Sequence, residues 1–384
     1  MKKRKIFHFL FSLLTAAVIL SCLVTEDDVI EASSTTTEES FGDEYKIPVD
    51  FDFEGTIARW YHFSQAAASV TFDDGTYDQY ATAFPLLEEL DIKGSFYLAA
   101  RLIDQGFWDD NGKRRKMMSW IEAAQIAAAG HEIGSHSMNH RDMTEEGVDL
   151  KEELLGSRKF IEEKLPGVKI ETFCWPHWRE TPETIEIASR YYLSARSGNG
   201  IIDYYLNRKG GIPENPPLSM YAINALGFLK SHKEEEWKAL IDRVYEKGSW
   251  FVSSYHGINS GTLSDEELGW NPLETDMFLQ TLEYQQEKGF WIETFANVSK
   301  YIYERDASVL HIGNKGFKIE LTLDDQLDDT IYNQKISVSL KKPENWSDPV
   351  LRDSSGQVFP YTMSHDRIFI DIFPDATSFE LKPY

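Results

Sequence analysis

Residues 68–78 read ASVTFDDGTYD. A short apolar, β-branched run ends abruptly on Asp73 and Asp74, and Gly75 then permits a sharp turn. Outward from this stretch the same grammar repeats. Strand-like runs stand at 94–99 (GSFYLA), 131–134 (HEIG), 172–175 (TFCW), 191–195 (YYLSA), 219–223 (SMYAI), 250–255 (WFVSSY) and 290–294 (FWIET). Between them lie amphipathic helical stretches at 83–90, 119–130, 150–165, 234–248 and 276–289. Gly130, Gly248 and Gly289 fall where helices should stop. Strand and helix alternating in this way predict an α/β fold with parallel strands, in a barrel or an open sheet.

Beyond Tyr301 the rhythm changes. The runs FKIELTL, KISVSL, VLRD, RIFIDIF and SFELK alternate in the manner of strands, with polar turns and no helical stretch between them. They predict a small all-β, sandwich-like domain over 307–384.

The beginning of the chain is of another kind. MKKRKIFHFLFSLLTAAVILSC has a basic start, an apolar run and small Ser21 before Cys22, the layout of a bacterial export signal over 1–21. It also resembles a lipoprotein signal, in which the Cys22 thiol carries lipid and anchors the protein outside the cytoplasm on a bacterial membrane, with the outer membrane or cell surface as one placement. Simple secretion is the alternative. Residues 22–45 are acidic and rich in Ser and Thr, and read as a flexible tether. The barrel module is then expected over 46–306.

Composition excludes some classes. The 384-residue chain carries a net charge of −24, which disfavours nucleic acid as a partner. The chain has two cysteines; with Cys22 lipidated only Cys174 remains, and no internal disulfide can form. Cys174 is expected to be an inert core thiol.

Two stretches carry chemistry. In a parallel α/β architecture, sites are built at the C-terminal ends of strands. The adjacent carboxylates of Asp73 and Asp74 would repel there unless a cation or a shared proton relieves them. The plain alternative is a capped turn, with Asp78 opening the next helix. Residues 130–140, GHEIGSHSMNH, place a short strand before His136 and His140, which share a face if the segment is helical. Two imidazoles plus one carboxylate of the pair make a three-ligand site with an open position, the pattern of a catalytic zinc. Ser135 and Asn139 can support the loop, whereas His131 points the other way and reads as structural.

Taken together, TFDDG and GHEIGSHSMNH resemble the polysaccharide deacetylases of the NodB homology type, carbohydrate esterase family four, over roughly residues 66–304. The resemblance implies a distorted (β/α) barrel and a divalent metal ion, with Zn²⁺ expected. It implies that Asp73 is the general base, that Asp74, His136 and His140 bind the metal, and that His256, in WFVSSYHGINSG, is the general acid. The carboxylate that polarises this His in the family has no visible counterpart. The third family motif, an Arg before Pro-Tyr, is altered in FCWPHWRETPE: Cys174 stands at the Arg position and His177 at the Tyr position. The His177 backbone N–H would be the oxyanion donor, a role that survives side-chain replacement. Arg196, in YYLSARSG, is the candidate to orient the base in place of the missing Arg, with Arg179 second and pairing with surface acids the alternative for both. Trp178 and Trp270 are candidates to stack on a sugar, with burial in the core as the alternative.

The activity implied is removal of acetyl groups from a poly- or oligosaccharide. The competing reading is a catalytically inactive, metal-containing glycan-binding lipoprotein. The lost Arg at position 174 favours it, and retention of Asp73 and His256 counts against it.

Overall fold

A computed structural model describes residues 43–48, 50–201 and 219–384. The expected signal peptide, Cys22 and most of the tether lie outside the described residues.

Seven parallel strands close into a barrel. In order around the ring they are Ala67–Phe72, Ser95–Leu98, Glu132–Ser135, Thr172–Cys174, Ser194–Ile201, Ile223–Gly227 and Trp250–Tyr255, the last pairing back onto the first. A two-residue strand, Trp291–Ile292, pairs beside the start of Ala67–Phe72. All six residues of Ala67–Phe72 and of Trp250–Tyr255 are buried, as expected of strands covered on both faces. Two strands sit later in the chain than their sequence runs suggest. The runs at 191–195 and 219–223 contribute only their last residues, and pairing continues to Ile201 and Gly227. Tyr192 and Tyr221 instead pack against the barrel core.

The helices follow from local chemistry. Trp120–Ala128 opens on a capping box in which Ser119 and Glu122 satisfy each other's backbone N–H groups. Glu234–Lys247 buries Trp237, Leu240, Ile241 and Val244 on one face. It ends on Gly248 in the left-handed conformation (φ 64°), and Thr275–Lys288 ends the same way on Gly289 (φ 82°).

The C-terminal segment forms two four-stranded antiparallel sheets. One contains Val309–Asn314, Ile319–Asp324, Asp375–Lys382 and Val350–Asp353. The other contains Ile336–Lys341, Arg367–Ile372 and Thr362–Ser364, and its fourth strand is Thr56–Ile57. That last strand differs from the expected division at 306/307, because a segment assigned to the barrel module completes the C-terminal sheet. The Trp346 indole N–H also reaches back, donating to the Tyr45 carbonyl at 3.0 Å.

Barrel and sandwich belong to one compact unit. Trp60, Trp250, Phe295 and Tyr301 share an apolar cluster with Leu321, Val338, Ile370 and Phe379 of the sheets. This cluster covers the N-terminal end of the barrel strands and leaves the other end as the mouth.

Candidate active site

Register brings the sequence motifs together. Phe72 pairs with Tyr255, so the next residues, Asp73 and His256, leave adjacent strands side by side. Leu98 pairs with Ser135 and Ser135 with Phe173, which sets His136 next to Cys174. Cys174 pairs directly with Arg196 on the following strand. Five strands thus deliver residues to one end of the barrel.

Asp73 is buried, and its Oδ1 forms an ion pair with the Arg196 guanidinium, itself 0% exposed. The Cys174 thiol donates to the same oxygen at 3.7 Å, and Arg196 donates to Cys174 Sγ at 2.6 Å. Ser254 Oγ lies 3.4 Å and His256 Nε2 3.7 Å from Asp73 Oδ2. Burial disfavours the Asp73 charge, but Arg196, with His136 and His256, outweighs it and holds the carboxyl below its ordinary pKa. Burial pushes the Cys174 thiol well up, so it stays protonated, as an inert core thiol should. Arg179 does not approach Asp73; it is exposed and pairs with Asp142 at 2.7 Å.

Asp74 turns away on a backbone of positive φ (76°), and Gly75 follows at φ 85°. Asp74 Oδ1 is buried, 3.2 Å from His140 Nε2 and 3.5 Å from His136 Nε2, yet makes no hydrogen bond. The three ligand atoms lie within 4.8 Å of one another. His136 Nδ1 donates to the Cys174 carbonyl at 2.9 Å, which fixes the tautomer and leaves Nε2 as a lone-pair donor toward Asp74. Burial lowers the His136 pKa to about 4, so this imidazole is neutral. At His140, Asp74 outweighs burial and raises the pKa, so His140 must release a proton before it binds a cation. A carboxylate oxygen without a hydrogen bond beside two converging imidazoles suits a divalent cation such as zinc. Asp73, His136 and Cys174 form a second convergent group, but Arg196 already occupies the position that a cation would take beside Asp73.

Of the two forms open to the HSMNH segment, a turn or one turn of helix, the structure has the turn. Ser137 (φ 68°) and His140 (φ 55°) are left-handed, and the loop is stitched by side chains instead. Ser135 Oγ accepts from the Ser137 N–H, Ser137 Oγ from the His140 N–H, and Glu153 from both the backbone and the side-chain amide of Asn139. His131 takes no part: its Nδ1 accepts from the Gly94 N–H and its Nε2 meets Glu88 at 3.0 Å.

A cleft of about 350 Å³ lies over the site, lined by Asp73, Asp74, His136, His140, His177 and His256. Its apolar walls are tryptophans. Trp178 lies flat over Gly198, where any β-carbon would come within 2.2 Å of the indole. Trp270 is 49% exposed, with its ring 5.1 Å from His256, so it is not a core residue. Trp108, from the hairpin Phe107–Asp110/Lys113–Lys116, packs 5.2 Å from His140. Sequence reasoning passed over Trp108, and over Gln79, whose buried amide donates to the carbonyls of both Asp73 and His256. Asp78 does not cap the following helix. It accepts from the Thr76 hydroxyl and from the Ile258 and Gly269 N–H groups, tying together the loops beyond the strand ends, and burial pushes its pKa up to about 6.

Comparison with known proteins reaches part of the chain. Residues 62–195 match the family model described as polysaccharide deacetylase. A gellan lyase from Bacillus sp. is 24% identical over 355 residues, which is 85% of this chain and only 13% of the lyase. Similar solved structures include a polysaccharide deacetylase from Bacillus cereus (18% identity, TM-score 0.37), covering 45% of this chain and 50% of that one. A Streptococcus pyogenes deacetylase in complex with acetate is 20% identical (TM-score 0.36; 44% and 67% covered). A carbohydrate esterase family four pseudoenzyme from Bacillus anthracis is 16% identical (TM-score 0.39; 61% and 65% covered).

Proposed function

We propose that this chain, whose residues 62–195 match the polysaccharide deacetylase family model, is a metal-dependent hydrolase that removes acetyl groups from a poly- or oligosaccharide. The observation that carries this reading is the division of labour between two adjacent acids. Asp73 is matched by the buried Arg196, while Asp74 faces His136 and His140 with an oxygen left over.

Asp74, His136 and His140 would hold the divalent cation, zinc being the expected one. When bound, it would supply Lewis-acid polarisation of the acetyl carbonyl and lower the pKa of the attacking water. Asp73, kept ionised by Arg196, takes the proton from that water. The His177 backbone N–H receives the developing oxyanion. His256 then gives a proton to the departing amine or alkoxide. Trp178 and Trp270 offer flat faces for the sugar ring, and Trp108 closes the third side.

The deciding experiment is acetate release from a panel of chitooligosaccharides, peptidoglycan and acetylated xylan, with metal content measured on the same preparation. Acetate should appear with at least one substrate and about one divalent ion should be bound per chain. His136→Ala with His140→Ala should remove both metal and turnover. Full activity in chelator would end the metal-dependent reading. The Cys22 lipid anchor is a separate proposal resting on the residue pattern alone: Cys22→Ser should shift the protein from the membrane to the soluble fraction.

A further inference from the structure

The catalytic cleft does not stop at Trp270. On the far side of this indole lies a larger depression of about 610 Å³, which shares Trp270 as a wall. The hairpin Phe107–Lys116 also serves both spaces. Its Trp108, Asp110 and Asn111 face the catalytic cleft, and its Lys113, Arg114 and Arg115 line the outer depression. A glycan lying across the Trp270 ring would therefore enter both.

The outer space has a charge unlike the rest of the molecule. Lys113, Arg114, Arg115 and Lys230 face it, against Asp265 and Glu266, in a chain whose net charge is −24. These cations are not alike. Arg115 is buried and spent on structure: it pairs with Asp110 at 2.7 Å and donates to the carbonyls of Leu268 and Gly269 at 3.1 and 2.8 Å. It thereby clamps the hairpin to the segment that presents Trp270. Arg114 is exposed, 3.7 Å from Glu266, with its guanidinium over the Phe107 ring. Lys113 and Lys230 have no carboxylate partner among the described residues. In so acidic a protein, unpaired lysines have many acids to choose from. Two that stay unpaired in one depression, against the single acid Asp265 once Arg114 is set against Glu266, leave a net positive charge where an anion can reach it.

We infer that this depression is a subsite for a negatively charged substituent of the glycan, so that the substrate is an acetylated acidic polysaccharide. The inference rests on the deacetylase reading for the cleft itself. Lys113 and Lys230 read the charge, Trp270 supports the intervening sugar, and Arg115 holds the wall in place. The anion can be a uronic acid carboxylate or a sulfate ester, since both present oxygens to ammonium groups.

The test pairs kinetics with binding. Oligosaccharides of equal length on one backbone are compared: neutral, uronate-bearing and sulfated, each acetylated for turnover and deacetylated for calorimetric binding. Wild type should favour a charged series over the neutral one by about 2- to 10-fold in kcat/KM and in affinity at low salt, the scale expected of solvent-accessible ion pairs. The preference should shrink at high ionic strength. In Lys113→Ala/Lys230→Ala the charged and neutral values should converge, and whichever charged series loses more identifies the anion. Equal binding of charged and neutral series by wild type, or a preference that survives in the double variant, would overturn the subsite. The two readings fail separately. Charge-dependent binding without acetate release retains the subsite and removes the deacetylase; acetate release with no charge dependence does the reverse.

Discussion

The paired acids Asp73 and Asp74 at the barrel mouth and the acids at its base are buried in opposite ways. At the mouth, Asp73 is held below its ordinary pKa because Arg196 outweighs burial, and Asp74 because His140 does. At the base, Glu132 sits among the hydroxyls of Ser95 and Thr172 and the N–H of Ala296, and burial wins: its pKa is raised. Glu304 accepts from the Gln334 N–H and is pushed up to about 8. A cation outweighs burial at Asp73, whereas the neutral donors around Glu132, and around Asp78 near the mouth, leave burial the larger effect. The difference separates acids available for proton transfer or metal binding from structural ones: Glu132 ties barrel strands to the helix Phe295–Ala307, and Glu304 ties that helix to Gln334.

Asp73→Asn is the severest test of this contrast. Turnover should fall by roughly 10²–10⁴-fold, the usual worth of a general base, while metal content stays unchanged. Near-normal acetate release by the D73N variant would remove the functional distinction between the two ends.

Arg196→Ala should come next. The acidic limb of the pH–rate profile should move upward, because Asp73 loses the charge that keeps it ionised and needs higher pH to reach its active form. Breaking a buried ion pair should also cost about 3–5 kcal/mol of stability. Adding Cys174→Arg to this variant sharpens the test, since position 174 lies directly across the strand pair. Recovery of the limb would show that the charge, not the residue number, matters; a limb that Arg196→Ala never moved would refute the role of Arg196.

The smallest effect is expected at the base. Folded Glu304 keeps its proton to about pH 8, whereas an unfolded Glu releases it near its ordinary value. Its contribution to stability is therefore complete at low pH and is lost as pH rises through about 8. Glu304→Gln should reduce the drop in Tm between acidic and alkaline buffer and leave acetate release as it was. An unaltered pH dependence of Tm would mean that Glu304 is charged in the folded protein.

Much of the mouth was legible in the sequence because its residues directly follow strand-forming runs. Asp73, Asp74, His136 and His256 each stand one or two positions beyond a barrel strand, and Arg196 lies one strand over from the position it replaces. What was illegible depends on distant pairing. Nothing local marks Trp108, which reaches the site only because its hairpin folds over His140. Asp78 looked like a helix cap, since its true partners, Ile258 and Gly269, are far along the chain. The left-handed residues in HSMNH escaped notice because His spacing alone does not distinguish a helical turn from a loop held by Glu153. The edge strand Thr56–Ile57 is too short to carry a periodic signal.

That edge strand has a consequence for biogenesis. Thr56 pairs with Ser339, so roughly 280 residues must leave the ribosome between the two halves of one ladder, about 15–60 s at ordinary elongation rates. Throughout that interval the barrel base, with Trp60 and Trp250, has no sheet to cover it. Nascent chains will need shielding there, by a holdase or by delayed closure of the ring. Gene fusions that splice foreign modules in place of roughly the last eighty residues should yield insoluble product even when the catalytic sequence is intact.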